Sequence, residues 1–309
     1  MGEPGWVTER FEQHRRHLHA VAYRMLGSMT DADDAVQQAW LRIRDQDSAS
    51  VENIQAWLTT VVARVCLNML RSQRSRREEP SAHVPDPVVS FEEPDPEDEV
   101  LLAESVGLAL LVVLDSLAPA ERLAFVLHDV FAVPFAEVAA VLDRSEAAAQ
   151  QLASRARRRV QGAPEPDPDL ARQREAVAAF FAASRDGDFE TLLAVLDPEV
   201  EVRIDGGVLR EDASLVLHGA ASVARHTARY SRLSPFVRPA LVNGAAGAVV
   251  APGGRVFSVM AFTVTNGRIV RIDALLDPER LARLDLKIPG TKDTRPDSRA
   301  PRATPDAPG

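Results

Sequence analysis

Apolar positions recur at helical spacing through most of the first 160 residues, and a period of two takes over beyond residue 200. The helical pattern is sharpest over 135–160, FAEVAAVLDRSEAAAQQLASRARRRV, where two helices meet at a tight turn. On the second helix, Ala149, Leu152, Ala153, Ala156 and Val160 form a buried stripe. Gln150, Gln151, Ser154, Arg155, Arg157 and Arg158 occupy the other faces, and Ser145 is placed to accept a free backbone N–H at the helix start. This pattern predicts a helix-turn-helix that reads a DNA major groove, with glutamine suited to adenine edges and arginine to guanine or phosphate. An ordinary basic helical hairpin has the same pattern, and this stretch alone does not separate the two.

Residues 10–77 are also helical in pattern. Thr30 followed by Asp33 predicts a capping-box start, which places Asp31, Asp33 and Asp34 at the positive end of the helix dipole. The apolar side of that helix runs through Val36, Ala39, Trp40 and Ile43, leaving Gln37, Gln38, Leu41 and Arg42 around its sides. Capping accounts for the carboxylates without any partner, and a surface of carboxylates, amides and an outward leucine equally fits protein docking. The next helix, 55–71, buries Leu58, Val61, Val62, Val65 and Met69, while a second stripe presents Trp57, Thr60, Arg64, Asn68 and Arg71. An aromatic ring interleaved with arginine and asparagine suits single-stranded DNA, because bases stack on the ring and phosphates pair with arginine. Trp57 taken alone fits a core position. The arginine cluster continuing through Arg74, Arg76 and Arg77 fits nucleic acid.

The chain divides by composition. A helical unit over 1–77 is followed at 78–99 by a segment with five prolines and many carboxylates, which reads as a linker with little to offer a core. A second helical unit covers 100–162, and a short proline-rich joint, 163–169, leads to a block of different character. Over 170–288, two helices (170–184 and 189–196) precede strand signals at 199–204 (EVEVRI), 239–243 (PALVN), 248–251 (AVVA) and 256–276. Asn266-Gly267 lies between alternating segments of the last and predicts a type I′ hairpin. Helices on an antiparallel sheet give an α+β unit, and the proline-rich tail, 289–309, reads as disordered.

Charge and cysteine content narrow the class. A net charge of −9 argues against a protein that coats nucleic acid indiscriminately, but the arginine clusters at 71–77 and 155–159 keep a local basic footprint. The single cysteine, Cys66, excludes an internal disulfide and a cysteine-rich zinc site, and it sits in an apolar helical pattern. The longest apolar run is far too short to span a bilayer, and the N-terminus lacks a signal-peptide core, so the expectation is a cytoplasmic protein with no membrane contact. No spacing of residues calls for a metal or a cofactor.

DADDAVQQAWLRI, then IQAWLTTVVARVCLNMLRS, then LDSLAPAERLAFVLHDVFAVPFAEVAAVLDRSEAAAQQLASRARRRV resemble regions 2 and 4 of an extracytoplasmic-function (ECF) sigma factor. The resemblance covers roughly 10–161, and VLHDVFAVPFAEVAAVL with QLASRARRRV is similar to the subgroup fused to a C-terminal SnoaL-like domain of NTF2-like α+β fold. It implies core RNA polymerase (β and β′ subunits) and promoter DNA as partners. Asp31, Asp33, Asp34, Gln37, Trp40 and Leu41 match the surface that docks on the β′ clamp helices. Asn53 lies in the loop that pockets a flipped −10 base, and Trp57, Arg64, Asn68, Arg71 and Arg74 fall where region 2 holds the melted −10 element. Gln150, Gln151, Ser154, Arg155, Arg157 and Arg158 fall on the helix that reads the −35 element. The acidic linker would follow a basic polymerase channel.

Three motifs depart from the family pattern. Asp143 replaces the glycine common in the helix-turn-helix turn, WLPEP in the linker reads HVPDP (83–87), and NPDKL near the end reads DPERL (277–281). The DGG motif is retained as Asp205, Gly206 and Gly207, and the resemblance implies that the C-terminal unit regulates the sigma regions by contact. Paired glycines allow close backbone approach, although a plain turn between strands has the same composition. An NTF2-like cone also has an internal pocket, so a small ligand there is a further expectation. Asp205, His218, His226 and Asp273 are the acid–base candidates should it carry chemistry, and nothing in their spacing fixes a geometry. Two competing classes remain at this level. One is a helix-turn-helix regulator that works without polymerase and senses a small molecule through its NTF2-like domain; the other is an NTF2-like enzyme with a helical appendage.

Overall fold

Helices α1 (Pro4–Leu26), α2 (Met29–Ile43) and α3 (Ile54–Arg76) pack about Leu18, Val21, Val36, Leu58 and Val62. They belong to a computed structural model that describes residues 4–44, 53–76, 82–91, 107–162, 164 and 166–289. The expected tail beyond 289 and parts of the linker lie outside the described residues. Ser28, not Thr30, caps α2: its Oγ accepts the Asp31 N–H at 3.3 Å. Gly27, at φ +72°, turns the chain out of α1 two residues sooner than the capping-box pattern implied. Cys66 is fully buried, and burial pushes its thiol up to about 12, so it is a small core residue.

The second helical unit contains α4 (Leu108–Ser116), α5 (Pro119–Phe125), a wide π turn (Val126–Val130), α6 (Phe135–Leu142) and α7 (Glu146–Val160). Asp143 adopts the left-handed conformation that the turn requires, φ 55°, and Ser145 Oγ accepts the Ala148 N–H to start α7. Ala149, Ala153 and Ala156 are buried, as the stripe predicts, with Leu152 and Val160 packed beside them. The two helical units share one core. Arg122 of α5 is only 1% exposed; its Nε donates to the Arg24 carbonyl of α1 and its Nη1 pairs with Asp115 at 3.1 Å.

Beyond α8 (Leu170–Asp186) and α9 (Phe189–Val195), the chain builds a curved sheet of β2 (Leu196–Asp205), β3 (Leu215–His218), β4 (Val237–Val242), β5 (Ala245–Val250), β6 (Ser258–Thr265) and β7 (Arg268–Leu275). Asn266 and Gly267, at φ 53° and 74°, make the predicted β6–β7 hairpin. Asp167 of the joint accepts both their N–H groups at 3.0 Å, which fastens the joint to the turn. The sheet is mixed rather than antiparallel. β7 pairs antiparallel with β6 and parallel with β2, because β2 enters from α9 and the chain returns beside it only after β6. Helix α10 (Ala220–Ala228), strand β3 and a short α11 (Pro278–Arg283) were not expected from the periodicity.

The linker departs most from expectation. Val84 is completely buried, and β1 (Val89–Ser90) adds an antiparallel edge strand beside β4, completing the order β1-β4-β5-β6-β7-β2-β3. One sheet face, with Ile204, Phe262 and Ile272, encloses a cone with α8, α9 and α10. The other, with Val242, Val249, Val259 and Leu275, merges into the core of the helical units, and β7 packs on α4. Arg122→Ala leaves Asp115 and the Arg24 carbonyl without that guanidinium in the interior. We expect it to cost about 3 kcal/mol, the low end for breaking a buried pair because Asp115 is partly exposed, read as a lowered urea midpoint.

Candidate nucleic-acid interface and interdomain contact

The α2 face predicted to dock a protein is turned outward. Asp33, Asp34, Gln37 and Leu41 are exposed, Leu41 by half, and Trp40 folds back onto Phe11 with ring centroids 5.1 Å apart. Asp31 is tied down instead, accepting from Gln73 Nε2 at 2.9 Å, and Asp33 lies 3.0 Å from His19.

On α3, Arg64, Asn68 and Arg71 are exposed along one face, with Trp57 half-buried at its start. Asn53 caps this helix, its Oδ1 accepting the Ala56 N–H at 3.1 Å. Arg74 continues α3, and its side chain lies outside the described residues. On α7, Gln150, Gln151, Ser154, Arg155 and Arg158 are exposed. Arg157 pairs with Asp129 of the π turn, and Arg159 with Glu121 at 2.9 Å. These partners orient the arginine-rich end of α7, whereas the glutamine end and Arg158 remain open to a groove. The two faces are not independent. Helix α3 packs against α5 and α6, and Arg64 Nη2 donates to the Ala140 carbonyl at 2.9 Å.

The HVPDP, DPERL and DGG motifs converge on one point, and the Asp143 turn lies apart from it. The fork of Arg280, in the 277–281 motif, donates from Nε to Asp86 at 2.6 Å, from Nη2 to the Val84 carbonyl and from Nη1 to Asp205 at 2.7 Å. Asp205 Oδ2 also accepts the Val84 N–H at 2.9 Å and lies 3.2 Å from His83 Nδ1. Burial alone would raise the Asp205 carboxyl, but His83, the Val84 N–H and Arg280 outweigh it and hold the group down at about 2. Gly206 and Gly207 allow the approach: a Cβ on Gly207 would fall 2.1 Å from the Asp277 carboxylate, and one on Gly206 2.2 Å from the Arg210 carbonyl. Asp277 in turn caps α11, accepting the Glu279 and Arg280 N–H groups. Asn243 and Tyr23 close the far side. Asn243 accepts the Val88 N–H and donates to Tyr23 Oη, which donates to the Asp86 carbonyl.

The acid–base candidates are dispersed. Asp205 belongs to the linker contact, and Asp273 is buried with Arg271 at 2.8 Å. His218 is exposed on β3, and only His226 lines the cone. Among the described residues there is no group of three His, Cys, Asp or Glu that could hold a metal. Nor is any described helix long and apolar enough to cross a membrane.

Sequence reading named the motifs but missed Arg280, Tyr23 and Asn243 as partners, since their contacts span 63 to 220 residues of chain. The charge on Asp205 holds the linker fully above its ordinary carboxylate range and loses its effect as pH falls towards 2. Asp205→Asn removes it at every pH, about 2 kcal/mol. Amide exchange across 82–91 is expected to quicken roughly 30-fold.

Residues 10–76 match the Sigma-70 region 2 family, and residues 107–160 match Sigma-70, region 4. The chain is 41% identical over 297 residues to the ECF RNA polymerase sigma factor SigJ of Mycobacterium tuberculosis, covering 91% of this chain and 95% of that one. It is 33% identical to a probable ECF RNA polymerase sigma factor, SigI, of the same species, over 92% and 98% of the two chains. The crystal structure of M. tuberculosis SigJ superposes with a TM-score of 0.74 at 36% identity, covering 91% of this chain and all of that one. With the outward α2 face, the arginine stripe of α3 and the glutamine-rich face of α7 in family order, the chain belongs to the ECF RNA polymerase sigma factors.

Proposed function

We propose that this chain is an alternative sigma factor that binds core RNA polymerase and directs it to specific promoters, and that its C-terminal unit restrains it through the linker. The observation that carries this reading is the pairing of an exposed Arg64, Asn68 and Arg71 stripe with an exposed Gln150, Gln151 and Arg158 face in a chain of this family. Region 2 holds the melted −10 element on α3, with Asn53, Trp57 and Arg74 at the ends of that stripe. Region 4 reads the −35 element from α7, where Ser154 and Arg155 complete the contact. Asp33, Asp34, Gln37 and Leu41 form the surface for the β′ clamp, with Asp31 and Trp40 set behind it on their partners Gln73 and Phe11. It acts as a binding protein, working wherever the polymerase is.

The arrangement described above is a closed one. The −10 and −35 elements lie about 25 base pairs apart, roughly 85 Å of duplex at ~3.4 Å per base pair, yet Arg64 touches the helix-turn-helix directly. Region 2 and region 4 therefore separate when both engage a promoter. A linker that follows the polymerase channel leaves Arg280, Asp205 and Asn243 behind. The C-terminal unit binds the closed arrangement and not the open one, and that difference is what allows it to regulate. The α2 face points outward in the closed form, so docking on core polymerase does not require opening.

Two outcomes are expected in reconstituted transcription with core polymerase. Gln151→Ala with Arg158→Ala weakens promoter-dependent output about tenfold or more, at roughly 1–3 kcal/mol per base contact, while core binding is kept; loss of core binding instead would misplace α7. Arg280→Ala raises output several-fold at unchanged core affinity. Output equal to or below that of the unaltered protein would remove the restraint.

A further inference from the structure

The chain is acidic overall, with 45 Asp and Glu against 36 Lys and Arg, yet one long stretch holds no carboxylate at all. Between Asp212 and Asp273 lie seven arginines and not one Asp or Glu. Five of the seven, Arg225, Arg229, Arg232, Arg238 and Arg255, are exposed at one end of the C-terminal unit. Arg225 and Arg229 are one helical turn apart at the end of α10, and Arg232 sits in a 3-10 turn (Ser231–Phe236). Arg238 is the second residue of β4, and Arg255 follows a short turn, Pro252–Gly254, that packs against the one carrying Arg232. Backbone bonds fix the run: the Tyr230 N–H donates to the Thr227 carbonyl at 2.9 Å, Leu233 to Tyr230 at 2.8 Å and Ala251 to Phe236 at 3.0 Å.

None of the five has a described carboxylate partner. Arg238 donates to the Pro235 and Val237 carbonyls at 3.2 and 3.0 Å, and the other four bond to no described residue. On α8 and α9, which pack against the 3-10 turn and α10, the carboxylates are Glu175, Asp186, Asp188 and Glu190, and none pairs with an arginine of the run. Elsewhere in the chain arginines do find carboxylates: Arg157 takes Asp129, Arg159 takes Glu121, and Arg271 takes Asp273. The dipole of α10 favours cations at its C-terminal end and accounts for Arg225 and Arg229. It does not account for Arg232, Arg238 and Arg255, nor for the missing acids. Soluble surfaces intersperse both signs, whereas a field of one sign repels itself and draws in a polyanion.

We propose that this arginine rim is a contact for the phosphate backbone of duplex DNA, independent of base sequence and additional to the faces of α3 and α7. Guanidinium forks pair with phosphate oxygens, and such contacts position a protein on DNA without reading it. A single strand needs open rings on which bases stack. Tyr230 and Phe236 are the rings in the run, and each is more than half covered, at 43% and 37% exposure, with Tyr230 lying against His226. The contact does not rest on the promoter reading above, because any duplex supplies the same phosphates.

The test is the salt dependence of binding by the full chain to a fluorescein-labelled duplex of non-promoter sequence, roughly 30 base pairs long, followed by anisotropy between about 50 and 200 mM salt. Each phosphate neutralised contributes ~0.9 to the slope of log K against log salt, so Arg225→Ala with Arg229→Ala and Arg232→Ala lowers the slope by about 2 to 3 and weakens binding about tenfold or more at low salt. A promoter duplex loses as much affinity as the non-promoter one. Arg225→Lys, Arg229→Lys and Arg232→Lys together keep the charge and hold the slope within about one of the unaltered protein. The urea midpoint of the alanine variant stays where it was, since the three side chains are exposed and bond to no described residue. Absence of duplex binding by the unaltered chain at low salt, or an unchanged slope in the alanine variant, overturns the contact. So does a loss confined to the promoter sequence, which makes the arginines readers of bases, or a larger loss for an oligothymidylate of equal length, which makes them a single-strand site. An unchanged slope together with lost core polymerase binding assigns the rim to an acidic protein surface instead. Transcription does not enter the measurement, so its failure leaves the sigma assignment where it stands.

Discussion

Arg280 presents one planar fork to two acceptors on the linker and one on its own unit, and most of the interdomain arrangement is organised around that fork. Burying a guanidinium with two carboxylates is expensive, because each ion gives up its water. The arrangement persists because the N–H and oxygen atoms around it are matched: Asp205 takes the Val84 N–H as well as Arg280, and its other oxygen accepts from the Gly207 N–H. Such a site adds little net stability over an apolar contact of equal size, but it is intolerant of partial disassembly, since removing one member strands the others. The linker is therefore held in a single register or not at all.

Register matters because the same ten residues touch everything. Pro85 packs over Gly27 at the end of α1, Asp86 bonds the Gly27 carbonyl, Val84 enters the core, and Val89 with Ser90 extends the sheet. The apolar outer face of the sheet completes the contact against α4. The C-terminal unit is thus joined to the helical units by a peptide that both of them clamp, in addition to direct packing. Freeing that peptide loosens three bodies at once.

Much of this was legible in the sequence. The buried alanines of α7, the left-handed Asp143, the Ser145 cap and the Asn266-Gly267 hairpin all follow from local chemistry, which a window of a few residues contains. The exposed stripes on α2, α3 and α7 follow from period 3.6 alone. The linker did not read correctly because its order comes from backbone pairing with β4 and from ion pairs with Arg280, and neither leaves an apolar periodicity. The parallel β2–β7 pairing was hidden for a similar reason, since hairpin signals report only on strands adjacent in sequence. Thr30 was misread as the α2 cap because Gly27 turns the chain early, letting Ser28 take the position.

The short strand β1 also bears on how safely the molecule opens. Were the linker to leave as proposed, β4 would become the outer strand, and bare outer strands are where chains stick to one another. Here the exposed part of β4 already carries Arg238 and Pro239, a charge and a residue with no N–H to offer, so only the stretch at Leu241 and Val242 is uncovered. Two residues are too few to template association with another copy, yet enough to receive the same peptide again. The proposed opening would thus unfasten a seam that can refasten without inviting self-assembly.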